Sequence, residues 1–437
     1  LRANAGDCVV VQLRNRMPFT VQRNRNQVTF VPQPVPDLAG WQDLMWVVNR
    51  DLFTPVGQRN QAQMRFFGNN LIRPSGEVGL HPQLVHFDVS RSDGTNVGIN
   101  QKGTASPGGS QTYVWYAGDM QEIPTIANNR VSVRLVPTPV EFGAVNLLSA
   151  DRVKQPQKGA FGALVIEPQN ATVAEDTQVP DRQGKFDPAV GTTRLTRANV
   201  TVTSPPGAAG SGGTYREAIE INHKIGNFRW RDGSAIANVK QGELGREGAE
   251  DSGHDGINYG SEPAWFRFKL PPDVPFGNAG TPNSFGGLSN AYQLYSNGLV
   301  AGEQNGLPNG DPATPVFTAA PGQPTRIHLL NGASTDRDST FVLHGHVWQR
   351  DPYVCPGQSD LGLQGRCDPT TPVPSLALGN NPTAKWVSSQ EGMGHVYGHW
   401  PILIQAGGTD GVTGDYLFRD YSPGGNTDGL WGILRVQ

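Results

Sequence analysis

Two distant stretches of this chain repeat one another. "LRANAGDCVVVQLRN" (1–15) and "FTAAPGQPTRIHLLN" (317–331) align without gaps at Ala3/Ala319, Gly6/Gly322, Leu13/Leu329 and Asn15/Asn331. Each reads as a glycine turn feeding a strand with alternating apolar positions: Val9, Val11 and Leu13 in the first copy, Ile327 and Leu329 in the second. A second echo, "GAFGALVIEP" (159–168) and "DGLWGILRVQ" (428–437), is a glycine-punctuated apolar strand that closes a unit. A shared opening and a shared closing strand predict two copies of one β unit, at 1–195 and 196–437.

The segments between these ends agree with that reading. "QTYVWY" (111–116), "RVSVRLV" (130–136), "REAIEI" (216–221), "AWFRFKL" (264–270) and "TFVLHGHVW" (340–348) read as strands, and helical periodicity is nearly absent. Gly (55) and Pro (35) make up about a fifth of the chain, a density that breaks helices and favours short strands joined by turns. "TSPPGAAGSGG" (203–213) is expected to be a loop or hairpin tip near the junction. The fold expected is all-β: two tandem Greek-key β-sandwiches with long loops, and Trp115, Trp265, Trp348 and Trp431 as core.

A net charge of -3 leaves no basic footprint for nucleic acid. No apolar run approaches the roughly 18–20 residues of a membrane span. Cys355 and Cys367 bracket "CPGQSDLGLQGRC", which fits a small ring closed by a disulfide and an oxidising, exported (extracellular or periplasmic) location; two free thiols are the alternative. Cys8 reads as a small buried hydrophobe. The opening "LRANAGDC", without initiator Met or leader, suggests a mature or clipped product, or a longer chain with an upstream part.

The repeated opening strand, "LHGHVW" (343–348) and "GDYLFRD…GLWGILRV" resemble the cupredoxin domains of multicopper oxidases, and most closely the C-terminal part of the large bacterial type. "LHPQLVHFDVSRSDGTNVGIN" (80–100), "SPGGSQTYVWYAGD" (106–119) and "EDSGHDGINYGSEPAWFR" (250–267) carry the same resemblance. It implies oxidation of a metal ion or a phenol coupled to O2 reduction. A blue copper bound by two His and a Cys would take up the electrons, and four His-x-His pairs would hold a trinuclear copper cluster.

The ligand inventory departs from that pattern. None of Cys8, Cys355 and Cys367 has a histidine neighbour, and where the resemblance calls for His-Cys-His the chain reads Arg419-Asp420-Tyr421. The remaining blue-copper His would fall at Phe341. In the first unit the "HPQ" segment gives His81 but Gln83, and the "SAD" segment, Ser149 to Asp151, has no histidine. One complete pair remains, His344 and His346, whose i, i+2 spacing would place both imidazoles on one face of a strand. The pair is a remnant bonded to backbone or water, supplies ligands to a copper completed by another segment or chain, or forms an isolated Zn or Cu site that would need a third ligand. His81 is a third candidate ligand; His86, five residues on, would face the other way in a regular strand, His395 and His399 in "GHVYGHW" read more readily as a surface loop than as a metal site, and His223, His254 and His328 are single.

Oxygen-rich loops at 181–187 and 247–256 read as solvated acidic loops more readily than as Ca²⁺ sites, and Asn170 and Asn199 fit glycosylation triplets. Two functional readings follow. In one the chain is the C-terminal portion of a larger copper-dependent oxidase, not self-sufficient, with further cupredoxin domains on an upstream segment or partner chain. In the other it is a non-catalytic exported structural or binding subunit.

Overall fold

The structure, a computed structural model, describes residues 1–17, 19–24, 27–32, 75–127, 130–151, 155–156, 159–178, 194–205, 213–226, 253–268, 291–300, 310–333, 339–350, 352, 385–391, 398–421 and 429–437. Strands dominate. The first part runs β1 (Arg2–Asn4), β2 (Cys8–Arg14), β3 (Phe19–Asn24), β4 (Gln27–Pro32), β5 (Leu80–His81), β6 (His86–Phe87), β7 (Ser110–Tyr116), β8 (Gly118–Ala127), β9 (Arg130–Pro139), β10 (Gly143–Ser149) and β11 (Phe161–Glu167). The second part runs β12 (Thr172–Gln178), β13 (Arg194–Ser204), β14 (Gly213–Gly226), β15 (Gly253–Ile257), β16 (Val316–Ala319), β17 (Pro324–Ala333), β18 (Thr340–Leu343), β19 (Trp348–Gln349), β20 (Trp386–Val387), β21 (Ser389–Glu391), β22 (His399–Gln405), β23 (Gly414–Asp420) and β24 (Trp431–Val436).

The first sandwich faces the sheet β1-β11-β10-β5 against the sheet β2-β7-β6. Alternation in β2 sends Val9, Val11 and Leu13 inward, where they meet Tyr113, Trp115, Val145, Leu147, Leu164 and Ile166. Trp115 is fully buried, and its indole N–H reaches the Ser92 carbonyl at 3.0 Å, so the ring's one polar atom is satisfied. The second sandwich faces β12-β13-β14-β17-β22, with β15 on β14, against β16-β24-β23-β18-β21. Phe317, Phe341, Phe418, Trp348, Ile402 and Leu434 fill it. The architecture is thus all-β, two tandem β-sandwiches.

The sequence repeat has a structural cause. In each unit the opening strand turns at a glycine with positive φ, Gly6 (91°) or Gly322 (71°), a conformation that a Cβ disfavours. Each opening strand then lies parallel to its unit's closing strand, β1 on β11 and β16 on β24. The registers pair Ala3 with Ile166 and Ala319 with Val436. With Ala3 equivalent to Ala319, Ile166 is equivalent to Val436. Phe161 therefore corresponds to Trp431 and Gly162 to Gly432, one residue later than the ungapped sequence pairing.

Three local readings differ from the structure. Ala264–Arg267 is one turn of helix and not a strand: Pro263 caps it, and the buried Arg267 guanidinium bonds the carbonyls of Leu294 and Gly310 and the Asn297 side chain. "TFVLHGHVW" is two strands, because Gly345 adopts φ 71° and ends the extended run. Cys8 is exposed, on the outer face of β2. β13 and β14 pair antiparallel, with Ser204 opposite Gly213, and residues 206–212 of the connector lie outside the described residues. β12 precedes residue 195 yet pairs with β13 in the second sandwich's sheet.

The two sandwiches share a third apolar layer. Ala144, Phe161 and Val165 of the first pack on Ile219, Ile221, Leu330 and Ala333 of the second. Alternation on β14 and β17 produces this: Ile219 and Ile221 face the first sandwich, while Ala218, Ile327 and Leu329 face the interior of the second.

Candidate functional site

The single His-x-His pair is split by its own glycine. His344 N–H donates to the Leu417 carbonyl at 2.9 Å and the imidazole is exposed; two residues on, His346 is 5% exposed. The same-face rule requires extended backbone, and Gly345 removes that condition. His346 Nδ1 donates to the His344 carbonyl at 3.0 Å, and its Nε2 accepts the Gly407 N–H at 3.1 Å. Both ring nitrogens are engaged in the neutral tautomer. The Tyr416 ring stands edge-on at 4.6 Å. Burial lowers the His346 pKa, against the opposing pull of the His344 carbonyl; desolvation and the Arg419 charge lower that of His344.

A prediction separates the two. His346→Leu leaves the buried Gly407 N–H unpaired and is expected to cost about 1–3 kcal/mol. His344→Ala is expected to stay within about 0.5 kcal/mol of the parent. Urea unfolding of both variants checks this; equal losses would contradict the division.

The positions that the resemblance assigns to a blue-copper His and Cys are direct cross-strand neighbours, Phe341 and Asp420. Both are buried, at 0% and 1%. Phe341 packs on Trp348 and Phe418, with ring centroids at 6.0 and 6.3 Å. Asp420 accepts the Thr340 N–H at 3.0 Å, tying the start of β18 to the end of β23. The place where a thiolate would sit holds an aromatic core and a backbone-bonded carboxylate.

In the first sandwich the "HPQ" and "SAD" segments also meet, with Leu148 opposite His81 and Ser149 opposite Leu80. His81 Nδ1 lies 2.9 Å from the Asp93 carbonyl and 3.2 Å from its carboxylate. Ser149 Oγ donates to the Asp151 carbonyl, and Asp151 accepts the Ser75 N–H at 2.7 Å. His86 lies in a different sheet from His81 and is exposed beside Tyr116. His399 lies in β22, opposite Leu330. The structure therefore does not bring His344, His346 and His81 together as one site: the pair belongs to the second sandwich and His81 to the first. Among the described residues no three His, Cys, Asp or Glu side chains are grouped to hold a metal ion. Cys355, Cys367, His395 and the 181–187 loop lie outside the described residues, as do 247–252 of the other acidic loop. Asn199 is buried and bonds Thr318, whereas Asn170 is exposed in a turn.

The groups that sequence reasoning missed lie between the sandwiches. Arg2 on β1 contacts Glu167 of β11 and Glu217 of β14. His328 Nε2 stands 2.7 Å from Glu217, and its Nδ1 accepts the Ala144 N–H at 3.4 Å. Arg326 bonds Glu141 at 2.6 Å and lies 4.7 Å over the Tyr215 ring. Burial and the adjacent Glu217 push the Glu167 carboxyl well above the usual carboxylate range. Burial also raises Glu217, but His328, Arg2 and Arg326 outweigh it and hold that carboxylate low. Two further buried groups stand apart from this network. Glu220, beside the Asn222 amide, is pushed by burial up to about 8. His223, whose Nε2 accepts the Tyr259 N–H, is pushed by burial down to about 3.

No protein-family model matches the chain, and no curated protein matches it. It is similar to solved structures at low identity. A multicopper oxidase is 12% identical with TM-score 0.34, over 83% of this chain and 70% of the other. The blue copper oxidase from Nitrosomonas europaea is 12% identical with TM-score 0.35, over 82% and 69%. The copper-containing nitrite reductase NirK from Thermus scotoductus SA-01 is 13% identical with TM-score 0.32, over 83% and 49%. The chain thus spans about half the length of that reductase, and at such identity the likeness concerns the fold alone.

Proposed function

We propose that this chain is a cupredoxin-like portion of a larger, exported copper-dependent oxidase. Such an enzyme oxidises a metal ion or a phenol and reduces O2. In this reading the copper is held mainly by protein outside the described residues, and the two sandwiches are its scaffold. The observation that carries it is the Phe341–Asp420 pair: the fold keeps the two positions adjacent but fills them with side chains that do not fit a thiolate–imidazole copper site. His346 likewise has both nitrogens in hydrogen bonds.

Metal analysis tests this. The purified chain is expected to hold no stoichiometric copper and no intense Cu–thiolate absorption, while the complete gene product carries several coppers. A Cu–thiolate band from the chain alone would overturn the proposal.

One observation favours the second reading, a non-catalytic binding or structural subunit. The β8–β9 ribbon leaves Ile126 (76% exposed), Val131 (69%), Val133 (54%) and Leu135 (59%) on one uncovered face. A complete gene product without copper would decide for that reading.

A further inference from the structure

The sealed junction between the sandwiches holds three carboxylates against two guanidiniums among the described residues. Glu167 and Glu217 are 1% and 0% exposed, and a single nitrogen of Arg2, Nη1, bonds a carboxylate oxygen of each. Arg2 touches both, Arg326 is bonded to Glu141, and the Tyr215 hydroxyl lies 3.5 Å from Glu167. His328 adds no positive charge: its Nδ1 accepts the Ala144 N–H, so a second ring proton would break that bond. Fully ionised, these groups would leave one uncompensated negative charge in a space closed to water. Two carboxylates this close do not both ionise.

We infer that Glu167 and Glu217 together bind one proton, resident on Glu167, and that the junction between the sandwiches is a proton-binding site. Its asymmetry follows from the neighbours. Glu217 receives His328 and Arg2, which stabilise its ionised form. Glu167 shares Arg2 and faces Glu217, whose charge disfavours a second anion. With the proton in place, Arg2 and Arg326 balance Glu217 and Glu141. Loss of the proton leaves an unbalanced charge between the two sheets, so the junction loosens in alkali. The sign follows from a folded pKa above the unfolded one: the stabilisation is full below the unfolded value, near pH 4.5, and is lost as pH rises through the folded value. This inference stands apart from the proposed function and needs no copper.

The test is infrared spectroscopy at pH 7 on the Glu220→Gln variant, which removes the buried carboxyl whose pKa is pushed up to about 8. The folded protein is expected to show the carbonyl stretch of a protonated carboxylic acid, shifted in D2O and absent from Glu220→Gln/Glu167→Gln. A folded Glu220→Gln protein without that band overturns the assignment, whether or not the double variant folds. Where the double variant folds, the pH slope of its unfolding constant is expected to lose one proton, about tenfold per pH unit. An unchanged slope overturns the proposal as well.

Discussion

Replacing Arg2 by alanine is expected to destabilise the protein by about 3–5 kcal/mol, the usual loss when one partner of a buried ion pair is removed. The side chain is 10% exposed, and its partners Glu167 and Glu217 are 1% and 0% exposed. Truncation leaves a buried carboxylate with His328 and no guanidinium of its own, facing a second carboxyl across the junction. The three residues of β1 make little ladder with β11, so the arginine also supplies much of what holds that strand against the second sandwich. Arg2→Lys is expected to fall between, since an ammonium is a point charge and lacks the planar fork that serves two carboxylates at once. Arg91→Ala is the exposed comparison: with side chains 68% and 58% exposed, the Arg91–Asp88 pair should contribute nothing measurable. Urea unfolding at pH 7 measures all three. An Arg2→Ala protein within about 1 kcal/mol of the parent would mean that water reaches the junction and screens it.

Why the repeat was legible while the junction was not is a matter of range. The glycines at 6 and 322, the alternating strands behind them and the closing strands at 161–167 and 431–436 are local signals, and local patterning fixes which face of a strand is buried. Phe341 and Asp420 could also be placed, because each lies at a fixed offset from a motif. The helix at Ala264–Arg267 was hidden by an alternation that suits a strand, and Pro263 and the partners of Arg267 override it. His344 and His346 misled because periodicity takes extended backbone for granted, and a glycine between them adopts another conformation. The junction network has no sequence neighbourhood: its members sit at 2, 141, 167, 217, 326 and 328, brought together by two parallel pairings, β1 on β11 and β14 on β17. The one local sign was charge inside apolar runs, Glu217 and Glu220 in "REAIEI" and Arg326 and His328 in "PTRIHLL". A charge in such a place is buried only when a partner waits.

Glu220 has no charged partner among the described residues, only the Asn222 amide, and its replacement is expected to change the pH profile of stability strongly. Its carboxyl faces the interior of the second sandwich at 1% exposure, and burial raises its pKa from 4.5 to about 8. The folded pKa exceeds the unfolded one, so the stabilisation is complete below pH 4.5 and disappears as pH climbs through about 8. That interval corresponds to ~5 kcal/mol. Glu220→Gln keeps the shape and cannot ionise. It should match the parent near pH 4 and exceed it at the alkaline end by about 3–5 kcal/mol. His223 works on the other side. Its folded pKa, about 3, lies below the ordinary 6.5, so its contribution is complete above 6.5 and is lost as acid takes the solution down through 3. Between pH 4.5 and 6.5 these two contributions oppose one another, and the raised carboxyl of Glu167 adds a further loss as pH rises. Removing Glu220 should lessen the alkaline loss, leaving the part that Glu167 contributes, while the acid limb, to which His223 and Glu217 contribute, stays where it was. Urea midpoints taken from pH 4 to about 9 record both limbs. A Glu220→Gln profile superimposable on the parent's would show that the carboxyl is hydrated and ionised in the folded protein, and that this end of the sandwich admits water.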